Sequence, residues 1–164
     1  MIAGMGFLIG SVYNIYAEPK ILKEFSINIK NSYKMINKYM KILVVIFSLL
    51  FTLILLMPEK IWTLLIEPDI INNEYYFITM LILIVAIFIN ILHIALRVYL
   101  KLFQSLDILA LILFISFIIN FTGNFFVSKY GIIAAAISTL LAYSSILIME
   151  ILYINITLKK RNKA

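Results

Sequence analysis

The sequence predicts an all-α fold: a polytopic helical transmembrane bundle with four full spans, a partial N-terminal span and a cytoplasmic C-terminus. Of its 164 residues, 64% are hydrophobic and only 13% are charged, whereas a soluble domain has about 45–50% apolar and about 25% charged residues. The chain also contains four apolar runs close to the length of about 17–25 residues that crosses a bilayer as a helix. Basic residues cluster in alternate segments between these runs, as in multi-pass membrane proteins.

The same composition excludes several classes of protein. High hydrophobicity excludes intrinsic disorder, and the absence of cysteine excludes a disulfide scaffold, thiol catalysis and thiolate metal sites. The net charge is +6, but the basic residues lie between apolar runs, so we expect them to meet membrane lipids and no nucleic acid. No enzyme motif is visible, and we predict no catalytic residue, no metal site and no cofactor.

Residues 1–17 form the first predicted element, a partial transmembrane helix. The stretch is apolar, holds three glycines and is too short for a full span. A signal peptide is the alternative, but no Lys or Arg precedes its apolar part, and Ile15-Tyr16-Ala17 is a poor cleavage site. We therefore expect a helix that arrives at the cytoplasmic side and whose outer part is missing from this chain.

Residues 18–39 form the second element, a basic amphipathic cytoplasmic connector. Apolar side chains recur there at spacings of three and four residues, with lysines between them. Such a helix is suited to lying along an anionic inner leaflet, and a binding surface for a phosphate-bearing lipid headgroup is the alternative. The apolar positions are Ile21, Phe25, Ile29, Tyr33 and Ile36.

Four transmembrane helices and a short tail complete the single membrane domain, residues 1–164. The predicted helices are 40–57, 76–98, 106–127 and 132–154, and the basic cytoplasmic tail is 155–164. Each run is apolar on all sides, whereas the strands of a β-barrel alternate. The connector with Lys41 just after it, the loop around Arg97 and Lys101, and the tail hold twelve of the 14 basic residues, while the loop after Pro58 is acidic. The positive-inside rule assigns the basic segments to the cytoplasm, so we predict a multi-pass protein of the cell membrane.

Short motifs along the chain resemble those of a known membrane family. They are Glu18-Pro19-Lys20, the helix stop at Pro58, the segment Ile61 to Ile66, the pair Tyr75-Tyr76, the segment Asn120 to Phe126, and Lys129-Tyr130-Gly131 with the residues Ile132 to Thr139. In this order they resemble the C-terminal part of Wzx-like polysaccharide flippases, within the multidrug/oligosaccharidyl-lipid/polysaccharide exporter superfamily. The resemblance covers about Ala17 to Ile154, with departures such as Ser128 where the family often has Pro.

The resemblance implies a transport function. A complete protein of this family moves polyprenyl-diphosphate-linked polysaccharide precursors across the cytoplasmic membrane, and this chain would be its C-terminal lobe. Its partners would be the lipid-linked oligosaccharide and a missing N-terminal half. Two alternatives stay open: a small integral membrane protein without transport activity (a helper subunit or a gene remnant), and a small transporter completed by a second copy of the chain.

Four polar residues inside the apolar runs are candidates for the transport path. Asn90, His93 and Arg97 lie at positions i, i+3 and i+7, on one helix face that Lys101 extends, and Glu150 lies in the last run. Ionisable residues within a span are costly and are functional candidates by default. For a flippase, Arg97 would contact phosphate and His93 would titrate with a coupling proton.

Each of these candidates has a structural alternative. Arg97 lies near the cytoplasmic end and is placed to snorkel, His93 to hydrogen-bond within the bundle, and Glu150 to be an interfacial carboxylate near Lys159 and Lys160.

The start of the last run is rich in small residues, which allow helices to approach closely in lipid. We predict a helix-packing surface made of Gly131, Ala134, Ala135, Ala136 and Ser138. Tight packing without any transport role is sufficient to explain that surface.

Overall fold

The computed structural model describes residues 8–58, 61–62, 66 and 73–161, and within these ranges the chain is an α-helical bundle without strands. The helices are α1 (Glu18–Ile27), α2 (Ile29–Leu55), α3 (Glu74–Leu102), α4 (Leu106–Asn124), α5 (Val127–Tyr130) and α6 (Ile132–Arg161), and a π-helical turn, Tyr13–Ala17, precedes them. We call residues 8–17 the N-terminal segment. The predicted all-α fold is confirmed for this part of the chain.

Three sequence predictions fall on residues outside the described ranges. They are the first seven residues of the partial span, most of the acidic loop with the central part of its Ile61 to Ile66 motif, and the last three residues of the basic tail.

Four of the helices are long and apolar enough to cross a membrane: α2, α3, α4 and α6. Helix α6 packs against both α3 and α4, and α3 packs in turn against α2, so that α3 and α6 are the central pair. Helices α2 and α4 stand at the sides and expose apolar faces, with Leu53 62% and Phe117 61% exposed. Exposed apolar faces of this length fit contact with lipid, as expected of a multi-pass membrane protein.

Helices α2, α3 and α6 are longer than the apolar runs predict, whereas α4 ends at Asn124, three residues before the predicted end. The connector is not a separate element. A break at Asn28 divides residues 18–39, and α2 begins at Ile29 and continues without interruption into the predicted span. Asn28 has an extended backbone and its side-chain oxygen accepts a hydrogen bond from the Asn31 N–H at 3.1 Å, which is the geometry of an N-cap. The side chain of Asn31 in turn donates to Glu24 in α1 at 2.5 Å.

Most of the apolar face of the connector packs against the protein, where the sequence predicts contact with the inner leaflet; of its five residues, Ile29 remains exposed. Ile21 and Ile36 are fully buried and belong to one apolar cluster with Leu100 of α3. The ring of Tyr33 lies 5.4 Å from that of Tyr99 and 6.2 Å from that of Phe103. Burial of this face draws α1 and the first turns of α2 onto α3.

The basic segments of the sequence meet at one end of the bundle, which we call the basic end. Lys101, near the end of α3, forms an ion pair with Glu18 at the start of α1. The guanidinium of Arg161, at the end of α6, lies 4.7 Å from the centroid of the Phe103 ring. The connector, the end of α3 and the end of α6 therefore lie together at one end of the bundle, in agreement with the alternation of charge in the sequence.

At the opposite end, Tyr75 ties the start of α3 to the turn between α5 and α6. Its hydroxyl donates to the Tyr130 carbonyl at 2.9 Å and accepts from the Ile133 N–H at 3.2 Å. Gly131, between these two partners, has a φ of +70°, a left-handed conformation that glycine adopts at little cost.

Candidate functional site

The centre of the candidate site is a hydrogen-bonded pair between the two central helices. His93 of α3 places its Nδ1 atom 2.8 Å from Oε1 of Glu150 on α6. The His93 side chain is 8% exposed and that of Glu150 is 0% exposed. A buried carboxylate is costly unless it is paired, and its partner here comes from the neighbouring span.

This geometry bears on the structural alternatives that the sequence leaves open for His93 and for Glu150. The prediction that His93 hydrogen-bonds within the bundle is confirmed. The Glu150 side chain is fully buried, and the residue that pairs with it is His93 of α3, not Lys159 or Lys160. Nine residues of helix separate Glu150 from Lys159, a rise of about 13 Å, and Glu150 lies four residues before the end of the predicted span 132–154.

Two buried polar atoms at or near the pair have no hydrogen-bond partner among the described residues. The second carboxylate oxygen of Glu150 is buried and has no hydrogen-bond partner among the described residues, and the same holds for Nε of Arg97. A buried polar atom without a partner costs about 1–3 kcal/mol. Such atoms are suited to receiving a hydrogen bond from, or donating one to, a bound molecule.

Arg97, one turn from His93 towards the basic end, contacts the N-terminal segment. Its Nη2 donates to Oδ1 of Asn14 at 3.0 Å and lies 4.0 Å from Oε2 of Glu18. Lys101 pairs with the other oxygen of Glu18. Two cations of α3 thus share a single carboxylate, which compensates only part of their charge.

His93, Arg97 and Lys101 therefore form a polar line along one side of α3, contacted by α6 near one end and by the N-terminal segment near the other. The N-terminal segment is held close to this line, since the Tyr13 hydroxyl donates to the Ala95 carbonyl at 3.3 Å. Asn90, the fourth candidate, is half-buried one turn before His93, and no hydrogen bond among the described residues joins it to the pair.

The structure adds partners that the spacing of α3 residues alone does not identify. Asn14 and Glu18 approach Arg97 and Lys101 across 83 residues of sequence. Beside them, the Tyr99 hydroxyl lies 3.3 Å from Oδ1 of Asn37 in α2. A carboxylate directly after an apolar segment, as at Glu18, is the sequence signal that points to this partner.

The predicted packing surface is divided between two roles. Ala136 and Ser138 are buried at 1% and 3% exposure, whereas Ala134 and Ala135 are half-buried. Gly131 is exposed and serves the turn at Tyr75.

The close approach of α4 and α6 depends on Gly123, which the sequence analysis does not single out. A Cβ atom at Gly123 would overlap the Cβ of Ser138. The Ser138 hydroxyl lies within hydrogen-bond distance, 3.2 Å, of Oδ1 of Asn124, and the Ser116 hydroxyl donates to the Ala142 carbonyl at 2.9 Å. Small and hydroxyl-bearing residues together hold these two spans.

The chemistry available at the site is that of proton exchange and anion binding. One imidazole and one carboxylate make up the central pair, and in the described ranges no group of three His, Asp or Glu side chains is placed to hold a metal ion. Arg97 and Lys101 are the groups suited to phosphate or another anion. Comparison of the chain with protein-family models, with curated proteins and with solved structures finds no match.

Proposed function

We propose that this chain is a lobe of a transporter that moves polyprenyl-diphosphate-linked polysaccharide precursors across the cytoplasmic membrane. The observation that supports the proposal is the polar line of α3, in which His93, Arg97 and Lys101 follow one another inside an apolar bundle. Ionisable groups at membrane depth are retained where an ion or polar substrate passes.

Arg97 and Lys101 are the residues that would contact the diphosphate. Both are partly exposed, with 29% and 35% of their side chains accessible, and both depend on Glu18 for a counter-charge. A diphosphate carries more negative charge than one carboxylate and offers oxygens for the two-pronged hydrogen bonding of a guanidinium. It would therefore compete with Glu18 for these cations.

His93 and Glu150 would link substrate passage to the relative position of α3 and α6. Their bond joins the central helices, so sliding or rotation of one helix against the other breaks it. Alternating access requires two bundles that move around a shared site, and we infer that this bundle works against a second one, supplied by another polypeptide segment or another copy.

One observation favours the alternative of an integral membrane protein without transport activity. The ionisable residues of the polar line have partners within the chain itself: His93 pairs with Glu150, and Lys101 pairs with Glu18. Pairing of this kind is also what a purely structural network needs. A binding measurement separates the two proposals.

The test uses the purified full chain in detergent and a short-chain polyprenyl diphosphate as the probe. Transport predicts saturable binding that weakens about tenfold in Arg97→Gln, the loss of one charge-assisted contact. Lys159→Gln, which removes an exposed charge at the same basic end, should bind like the unmodified chain. Absence of saturable binding, or equal weakening in both variants, would favour the non-transporting protein.

A further inference from the structure

A groove separates the N-terminal segment from α2 on the outside of the bundle. Its walls are apolar and include Val12 on one side and Ile42 and Ile46 on the other, and its volume is about 310 Å³. Clefts that hold small ligands span about 300–1,000 Å³. Val12 is 63% and Ile46 41% exposed, so the groove opens on the surface that faces lipid.

The groove changes character towards the basic end of the bundle. Tyr16 and Tyr39 line it there, and Nζ of Lys20 lies 3.6 Å from the centroid of the Tyr16 ring. Lys38 is one helical turn before Ile42 and so continues the same wall of α2. Both lysines are exposed, and each lies four residues from a lining residue of the groove, Lys20 after Tyr16 and Lys38 before Ile42.

We propose that this groove binds one anionic phospholipid of the inner leaflet, with an acyl chain between Val12 and Ile46 and the phosphate between Lys20 and Lys38. The division of the site into an apolar slot and two ammonium groups matches the division of a phospholipid into chain and anionic headgroup. The tyrosine rings lie between these parts, at the level where aromatic side chains meet the membrane interface.

The predicted orientation agrees with this occupant. Basic segments lie on the cytoplasmic side by the positive-inside rule, and the cytoplasmic leaflet is the one that carries negative surface potential. The proposal needs only that the chain spans a membrane, and it does not depend on a transport function.

Native mass spectrometry of the full chain, released from detergent with equal amounts of phosphatidylglycerol and phosphatidylcholine of identical acyl chains, tests the proposal. We expect one phosphatidylglycerol to be retained in about tenfold preference over phosphatidylcholine. The double variant Lys20→Gln/Lys38→Gln should retain the two lipids equally. The matched double variant Lys159→Gln/Lys160→Gln, with the same change in charge at the same end, should keep the preference.

A separate variant tests whether an acyl chain occupies the apolar part of the groove. Ile46→Trp fills the groove and should reduce retention of both lipids, whereas Leu111→Trp, on the exposed face of α4, should not. A preference for phosphatidylglycerol that survives in Lys20→Gln/Lys38→Gln would overturn the proposal. An equal loss of this preference in Lys159→Gln/Lys160→Gln would overturn it as well. The glutamine variants alter only exposed side chains, so this result decides the matter even where Ile46→Trp fails to fold.

Discussion

Nδ1 of His93 lies 2.8 Å from Oε1 of Glu150, and this bond joins α3 to α6 at the largest helix contact of the bundle. Both side chains come from spans that are otherwise apolar in composition. A charged or strongly polar group in such surroundings persists only when a partner compensates it. The pair thus marks a place where the packing of the two central helices and the chemistry of the bundle depend on each other.

Removing one member of this pair should destabilise the protein more than removing both. His93→Leu leaves the Glu150 carboxylate buried and uncompensated, at a cost of about 3–5 kcal/mol. His93→Leu/Glu150→Leu replaces the pair by apolar groups, so we expect it to lose less. The unfolding temperatures of the two variants in detergent, monitored by size-exclusion chromatography after heating, measure this difference in stability.

The exposed carboxylate Asp107 at the start of α4 is the control for this series. Asp107→Asn removes a charge that is not buried and should leave the unfolding temperature unchanged. If the double variant of the pair were less stable than His93→Leu, the account of Glu150 as a carboxylate that requires His93 would be wrong.

Tyr75→Phe should loosen the end of the bundle opposite the basic end. The change removes one hydrogen bond donated to the Tyr130 carbonyl and one accepted from the Ile133 N–H. We expect a loss of about 1–2 kcal/mol in the free energy of unfolding, with faster amide exchange at the start of α6. Tyr76→Phe changes a neighbouring exposed ring and should have no such effect; equal losses in the two variants would contradict the role given to Tyr75.

Gly123→Ala should separate α4 from α6. The added Cβ meets the Cβ of Ser138, which is backbone-anchored and unable to rotate away, and overpacking of this kind costs about 1–3 kcal/mol. Gly10→Ala is the matched control, because its Cβ would approach only the flexible end of Ile94, at 3.1 Å. Unfolding temperatures compare the two variants, and an unaffected Gly123→Ala would show that α4 and α6 do not pack as described.

The orientation of the chain can be tested with single cysteines, since the chain contains none. Ser128→Cys lies on α5 at the end opposite the basic end, and Lys160→Cys lies at the basic end. In intact cells a membrane-impermeant maleimide should label Ser128→Cys and should label Lys160→Cys only after lysis. The reverse pattern would place the basic segments outside.

Sequence periodicity predicts the spans of this bundle well because length and apolarity are local properties. It also identifies the polar line of α3, since residues spaced by three or four positions share a helix face. The break at Asn28 has a local signal too, an asparagine suited to N-capping, which the regular apolar spacing of the connector obscures.

Contacts between distant segments are what the sequence leaves open. Periodicity makes Ile21 and Ile36 one apolar face, but it cannot say whether lipid or α3 covers that face, because both are apolar. In the same way, nothing local relates Glu150 to His93 or Glu18 to Lys101. Gly123 is missed because its importance comes from the residue opposite it, Ser138.

The most direct test of the proposed transport function is photo-crosslinking of the full chain in native membranes with a polyprenyl-diphosphate analogue that carries the photoreactive group next to the diphosphate. We predict that the label maps to the polar line of α3, around Arg97 and Lys101, or to Asn14 and Glu18 opposite it, and that excess unlabelled polyprenyl diphosphate suppresses it. Label spread over the exposed faces of α2 and α4, unaffected by the competitor, would contradict the proposal.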